Sequence, residues 1–520
     1  CVSHPALRFT WKPFMVLKRQ NVSLIASQGT SENKEVTKPD TFTVMCDGTV
    51  VTETNGAEAF YKQLNEATGL DIKWTRPDHA SYYDAVANAF NSDDTMPDVV
   101  LLSSDYYALY ASNGFLWNMT DAWEHSETKN SGRLISTADN VLSALMVNGE
   151  DGTKAMYGLS LYRGNGCCTY VKKAWLDKAG IDASKVKDVQ MDFNTYYGYL
   201  KQMAQTMGHY VISSPGFIHP EAPNTNYLPE FYQKAQYTFY KDTSGKYVDG
   251  FAQQEMKEAL QRIQTAVNDG VIDKESVNNS TANARDKFYS TDPSTETGVF
   301  TYWAGTWANT LKTNLSNKGL DDELIAIKPI KELGAYTERI APCWCITSAA
   351  KNPEGIFKYF IDKMLDGGDV QMLWTHGAKG THWDDKAETV TVEKKEDQPK
   401  TYTEGQFHYL PGIEKPDQWQ TKNHIDPILS IANFTNGYVG ESLIPEVARE
   451  NGEFFAENSQ VAVPLPMTSE LSNNIGDINT ARTYVIAQVA LGYMTVDEGM
   501  DYYNKTVGSL SNAVLKSLNK

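Results

Sequence analysis

The 520-residue chain lacks any run of about 18 unbroken apolar residues, the length that a membrane-spanning helix requires. Its longest apolar-leaning segment, Tyr484 to Met494, is interrupted by Gln488 and Gly492, so the sequence predicts no span. Positive charge is in short supply: 47 Lys and Arg stand against 65 Asp and Glu, a formal net charge of -18. That balance excludes the basic footprint needed for nucleic acid, and equally a docking patch for anionic lipid. A neutral or cationic ligand is favoured over a polyanion. Cysteine is scarce, with six in all, and Cys167-Cys168 and Cys343-x-Cys345 match neither a disulfide framework nor the Cys-x2-Cys zinc knuckle. These thiols are expected to be buried, unoxidised packing residues.

Short catalytic signatures are missing as well. The sequence contains no HExxH, no G-x-S-x-G, no GxxxxGK[ST], and no GxGxxG after the first strand. Gly377 to Gly380 lacks the spacing of a phosphate loop. His376 and His382, six residues apart in a glycine-rich loop, fit a ligand-lining loop better than a metal pair. No cofactor or metal site is expected, and the chain is read as non-catalytic. Glycosidase carboxylate pairs have no short motif, so that chemistry stays open as a rival.

Aromatic residues, by contrast, are abundant: 29 Tyr, 19 Phe and 11 Trp make up 11% of the chain. Tyr and Trp combine a flat apolar face with a polar tip, which suits both sugar surfaces and large cores. The remaining composition is that of a globular protein, 41% hydrophobic and 22% charged with a mean hydropathy of -0.46. At this length two lobes are expected.

Residues 29–40 read as a polar linker ending in Pro-Asp. After it, Phe42, Val44 and Cys46 alternate as a strand, and Ala57, Phe60, Leu64 and Ala67 recur at helical spacing before Gly69. Leu70 to Trp74 alternates again, Tyr83, Val86 and Phe90 mark a helix, and Asp98 to Leu102 is a buried strand. This succession predicts a parallel sheet covered by helices. Further on, helices are expected at 173–178, 193–207 and 253–268, and a hairpin around Asp242 to Gly245. Strands are expected at 298–303, 324–327 and 343–347, a Pro-initiated helix at 353, and a helical tail from about 470 to 517.

Six segments, in order, carry a resemblance: Met96–Ser104 (MPDVVLLSS), Asn113–Trp123, Tyr157–Gly180, Gly298–Trp307, Ile346–Ile361 and Gly492–Tyr503. They resemble the family 1 extracellular solute-binding proteins of bacterial ABC importers, in particular the large oligosaccharide-binding lipoprotein branch. The resemblance implies an α/β, two-lobed periplasmic-binding-protein-like fold (type II), with mainly parallel sheets and a ligand cleft between the lobes. It places 41–160 with 322–378 in one lobe and 161–321 with 379–520 in the other, with 1–40 as a tether. It also implies capture of an oligosaccharide by hinge closure and delivery to the permease subunits of an ABC importer, by a monomer. The work would be done on the extracellular face of the cytoplasmic membrane, or in the periplasm.

Cys1 resembles the lipidated first residue of bacterial lipoproteins, which implies a lipid as the membrane attachment. The segment from Cys1 to Gln28 departs from that pattern, since it is basic and carries Trp11, Phe14, Met15 and Leu17. Alginate-binding members carry an Asp/Asn-rich calcium loop, but Ala179 to Phe193 here is too short and poor in carboxylates, so no calcium is expected there.

Ligands of open α/β sheets lie at the carboxyl ends of strands. The candidate ligand-binding residues are therefore Asp47, Ser104, Asp105, Tyr106, Tyr107, Tyr162, Arg163, Trp303, Trp307 and Trp344, with Trp374, His376, His382 and Trp383 on the glycine-rich loop. Trp307 and Tyr106 rank first. Two rivals share these features: a glycan-degrading enzyme, and a binding protein for peptides or another small solute, which Arg163 keeps open.

Overall fold

Strand and helix begin where apolar spacing changes from two to three or four. Along the chain these are β1 (Thr41–Met45), α1 (Ala57–Thr68), β2 (Asp71–Thr75), α2 (Tyr82–Ala89), β3 (Val99–Leu102) and α3 (Ser104–Ser112). α1 buries Ala57, Phe60 and Leu64 along one stripe and stops at Gly69, whose φ of 63° only glycine adopts without strain and whose N–H reaches Asn65 O. β4 (Cys167–Lys172) follows, then α4 (Lys173–Ala179), α5 (Phe193–Met207), α6 (Gln254–Asn268), α7 (Thr281–Phe288), β5 (Val299–Trp303), α8 (Thr306–Asn317) and β6 (Leu324–Ala326). The chain continues with β7 (Cys343–Ile346), α9 (Asp369–His376), β8 (Trp383–Asp384) and β9 (His408–Tyr409), and ends on α10 (Ser469–Ala490) and α11 (Val496–Leu518).

In this computed structural model the described residues are 35–48, 56–78, 81–134, 138–160, 164–218, 225–320, 322–390, 399–410, 446–463, 465–466 and 468–520. Cys1, most of the expected tether, Tyr162 and Arg163 lie outside them. Among the described residues, no helix is long and apolar enough to cross a membrane.

The described residues form two compact units, 35–165 with 338–466, and 166–337 with 468–520, so the chain changes unit three times. These boundaries correct the expected ones. Residues 322–337 belong with the second unit because β6 pairs antiparallel with β4, Leu324 opposite Lys172. Residues 379–410 belong with the first because β8 and β9 form a hairpin, Trp383 opposite Tyr409, on the same unit as α9.

The first unit is built on a four-stranded sheet of order β7-β3-β1-β2, parallel between β1, β2 and β3. β7 runs antiparallel to β3, Cys343 facing Leu102. All four residues of β3 are buried, as a central strand covered on both faces requires. The core on this sheet includes Phe42, Phe60, Trp344, Phe360 and Trp374. The second unit differs from the mainly parallel expectation: its three-stranded sheet, β6-β4-β5, is antiparallel throughout. The five described cysteines, Cys46, Cys167, Cys168, Cys343 and Cys345, are buried thiols.

The helix expected from Pro353 is broken into three pitches: α at Pro353–Ile356, π at Phe357–Ile361 and 3-10 at Asp362–Leu365. The buried Asp362 carboxylate there accepts the N–H groups of Glu127 and Thr128, a tie between segments distant in sequence. In the second unit the counterpart is a buried ion pair. Arg482 on α10 donates to Asp249 at 2.8 Å, and Tyr503 and Ser511 on α11 donate to the same carboxylate.

Candidate functional site

In the first unit, three parallel strands end side by side. Cys46 N–H bonds Thr75 O and Gly48 N–H bonds Pro77 O, which carries the chain past Asp47 along the end of β2. A Cβ on Gly48 would stand 2.9 Å from Pro77 O, so the approach requires glycine. From α2, the buried Tyr82 hydroxyl donates to Leu101 O at 2.7 Å, which fixes that helix against β3. Its neighbour Tyr83 accepts the Ser103 N–H at 2.8 Å and stacks face to face on Tyr106, centroids 3.7 Å apart and planes 5° from parallel. Tyr106 is half-buried at the start of α3. Arg76, after β2, lies over the Tyr61 ring at 5.5 Å. Burial pushes the Cys46 thiol up to about 12; Arg76 opposes that shift and Asp47 reinforces it. This strand-end surface thus offers one stacked aromatic pair, one carboxylate and one guanidinium.

In the second unit, β5 ends in Tyr302 and Trp303, and Gly305 turns the chain into α8, where Trp307 is the second residue. Trp303 faces Cys167 across the sheet, and the Tyr170 hydroxyl donates to its carbonyl at 3.0 Å. Trp307 meets the Tyr302 ring edge-on at 4.9 Å, and Tyr227 lies 17° from parallel to the Tyr302 ring at 6.1 Å. From α7, Arg285 donates to Tyr302 Oη at 2.8 Å and covers the Tyr302 and Trp307 rings at 5.5 and 5.2 Å. Burial raises the Tyr302 phenol and Arg285 counteracts it. Trp303 and Trp307 are both half-buried, leaving ring surface open.

The structure separates the sequence candidates. Asp47 and Tyr106 share the strand-end surface of the first unit, and Trp303 and Trp307 that of the second. Ser104 and Asp105 lie in the first turn of α3, while Tyr162 and Arg163 fall outside the described residues. Six candidates are corrected to packing roles. Tyr107 is fully buried, donating to Leu145 O at 2.5 Å and accepting from Tyr157 N–H. Trp344 and Trp374 are 2% and 1% exposed and meet each other edge-on, with Phe360 beside both and Phe60 on Trp374. The buried His382 accepts the Ala378 N–H on Nδ1 at 2.8 Å, and the Trp383 indole donates to Gly377 O. His376 is also buried, its Nδ1 2.6 Å from Tyr409 Oη, beneath the β8–β9 hairpin. Trp374 and His376 end a helix, not a loop, and that helix is buried on every side from Val370 to His376.

Sequence reasoning missed Tyr83, Arg76, Tyr302, Tyr227 and Arg285. Tyr83 had a signal in its position one residue beyond the buried Tyr82 in α2. Arg285 had none, since only the turn after Gly305 brings α8 against α7.

No protein-family model matches the chain, and no curated protein matches it. Solved structures do. The N-glycan transport solute-binding protein NgtS of Streptococcus pneumoniae superposes with a TM-score of 0.57 at 17% identity, covering 92% of this chain and 98% of its own. The chain has the two-domain solute-binding-protein fold. An HMO-binding, ABC-transporter-associated solute-binding protein from Bifidobacterium longum infantis has a TM-score of 0.55 at 14% identity, covering 92% and 98%. A family 1 extracellular solute-binding protein of Alicyclobacillus acidocaldarius has a TM-score of 0.57 at 14%, covering 92% and 100%. These names are those of binding proteins rather than enzymes. Identities this low establish the fold alone.

Proposed function

We propose that this chain is a solute-binding protein that captures a carbohydrate, an oligosaccharide, outside the cytoplasmic membrane and hands it to an ABC importer without altering it. The observation that carries the reading is the repetition of one chemistry on both units. Each presents half-buried aromatic faces where strands end, Tyr83 and Tyr106 in one, Trp303 and Trp307 in the other. Pyranose rings expose C–H groups on their flat faces and hydroxyls on their edges, and aromatic platforms with a neighbouring charged group satisfy both. The fold shared over nine-tenths of the chain with carbohydrate-binding proteins supports the same reading. The proposal includes capture by hinge closure, in which the ligand favours the conformation that it binds better.

A thermal-shift screen of the full chain against mono- and oligosaccharides, then peptides, tests the proposal. A ligand at 100 times its dissociation constant adds about 2.7 kcal/mol, a shift of several degrees. The expected result is a shift with an oligosaccharide recovered intact by chromatography. Cleaved sugar would make the chain an enzyme, and a shift with peptides alone would replace the substrate class.

A further inference from the structure

The first two places where the chain changes unit lead to one buried carboxyl. β4 begins at Cys167, just past the change after Asn165, and the short strand Tyr336–Glu338 spans the change after Thr337. Glu230, on the helical turn Pro229–Tyr232, is 1% exposed and meets both segments. Thr169 on β4 donates its hydroxyl to Glu230 Oε1 at 2.7 Å, and the Tyr336 hydroxyl lies 3.3 Å from the same oxygen. Thr169 and Tyr336 are linked a second time, since the Thr169 N–H donates to Tyr336 Oη at 3.4 Å.

The Tyr336 hydroxyl has one proton and two acceptors within reach, Glu230 Oε1 and the nearer Ile327 O at 3.0 Å. A neutral Glu230 leaves that proton with Ile327 O, whereas a carboxylate is the stronger acceptor and draws it away. No cation pairs with Glu230 among the described residues. Around it are the phenols of Tyr336 and, from α5, Tyr196, both kept neutral by burial, and the Cys168 thiol of β4 lies near Tyr336. Arg262 on α6 turns to the neighbouring residue, donating to Phe231 O at 2.8 Å. Besides its own backbone N–H, only hydroxyls or water are left to stabilise the ionised form, and burial pushes the carboxyl up to about 7.

We infer that Glu230 and Tyr336 form a proton-operated hydrogen-bond switch at the foot of the first two unit changes: ionisation of Glu230 turns the Tyr336 hydroxyl from Ile327 O to the carboxylate and loosens both segments. Loosening follows because Ile327 O loses its donor, and because an opening that admits water relieves the buried charge. These are segments on which hinge closure would act. The switch belongs to the chain without solute, so it stands or fails separately from the proposed carbohydrate function.

Hydrogen exchange of the full chain, read by mass spectrometry as protection factors at pH 6 and pH 8, tests it. An opening that hydrates Glu230 returns it to the ordinary 4.5, so that opening is favoured about tenfold more at pH 8 than at pH 6. Wild type should therefore lose about tenfold in protection over 166–172 and 334–338 across that step. E230Q, which cannot ionise, should show the same protection at both pH values. Y336F retains the titrating carboxyl and should keep the loss over 166–172 but not over 334–338, where no hydroxyl remains to turn. Equal protection of wild type at both pH values would overturn the inference, as would E230Q responding like wild type. A Y336F response equal to that of wild type in both segments would overturn the part given to Tyr336.

Discussion

The Glu230 carboxyl is sealed inside the second unit, 1% exposed, and its bonding is spare. Thr169 Oγ1 donates to it at 2.7 Å, and the Tyr336 hydroxyl lies 3.3 Å away but is also within reach of Ile327 O at 3.0 Å. Burial dominates and pushes the group up to about 7 from 4.5; the Thr169 hydroxyl, the Glu230 backbone N–H and the Tyr336 hydroxyl only partly offset it. A carboxyl with a raised folded value binds its proton more tightly folded than unfolded. Its contribution to stability is therefore complete below about pH 4.5 and is lost as the pH rises through about 7. Wild type should lose on the order of 3 kcal/mol across that window relative to E230Q. Urea denaturation of both forms at pH 4.5, 6 and 8 measures this, and parallel profiles would show that Glu230 does not titrate there.

Trp344 and Trp307 show how far single residues were legible. Both are tryptophans with the same chemistry that the sequence offers as platforms, Trp307 just after a strand and ranked first, Trp344 within one. Only the register of β7 against β3, and the packing of α9 behind it, turns Trp344 into the core. Trp307 instead follows a glycine turn that leaves its ring half open.

Among elements, the C-terminal hairpin of α10 and α11 depends on one buried ion pair. Arg482 is fully enclosed, its guanidinium within 6 Å of the rings of Tyr237, Phe239, Phe251 and Tyr503. Removing it leaves the Asp249 carboxylate buried with two hydroxyl donors and no cation. R482A should cost about 3–5 kcal/mol in chemical denaturation, and R482A/D249A should recover part of that because the orphaned charge goes too. An additive double variant would refute the coupling.

Helix and strand positions were readable at this scale because amphipathic spacing and glycine stops are local properties. α1, α5 and α6 lie where their apolar spacing and following Gly69, Gly208 and Gly270 place them. The run from Pro353 was not, because its α, π and 3-10 turns answer to the buried Asp362, a contact with residues 127 and 128.

At the scale of the whole molecule, the chain changes unit after Asn165, Thr337 and Pro466. Two of these crossings are knit together on the first-unit side. Arg339 N–H bonds Asn165 O, Arg339 Nε donates to Gly164 O, and Gly164 N–H reaches the buried Glu338 carboxylate. A Cβ on Gly164 would lie 1.4 Å from Arg339 O, inside the partner backbone, so the two segments fit only with glycine there. G164A should cost about 3 kcal/mol or more in denaturant titration. A variant as stable as wild type would mean that the crossings can separate freely.

The sequence by itself determined the element order, the α/β class, the buried thiols and two of the strand-end aromatic groups, because those follow from periodicity, turn chemistry and strand polarity, all encoded within a few residues. Only the tertiary structure decided the unit boundaries, the antiparallel sheet of the second unit, the burial of Trp344, Trp374 and His382, and the meeting of Arg285 with Trp307. Each depends on pairing between residues far apart in the chain, and a pairing register or a helix-to-helix approach leaves no mark on local spacing.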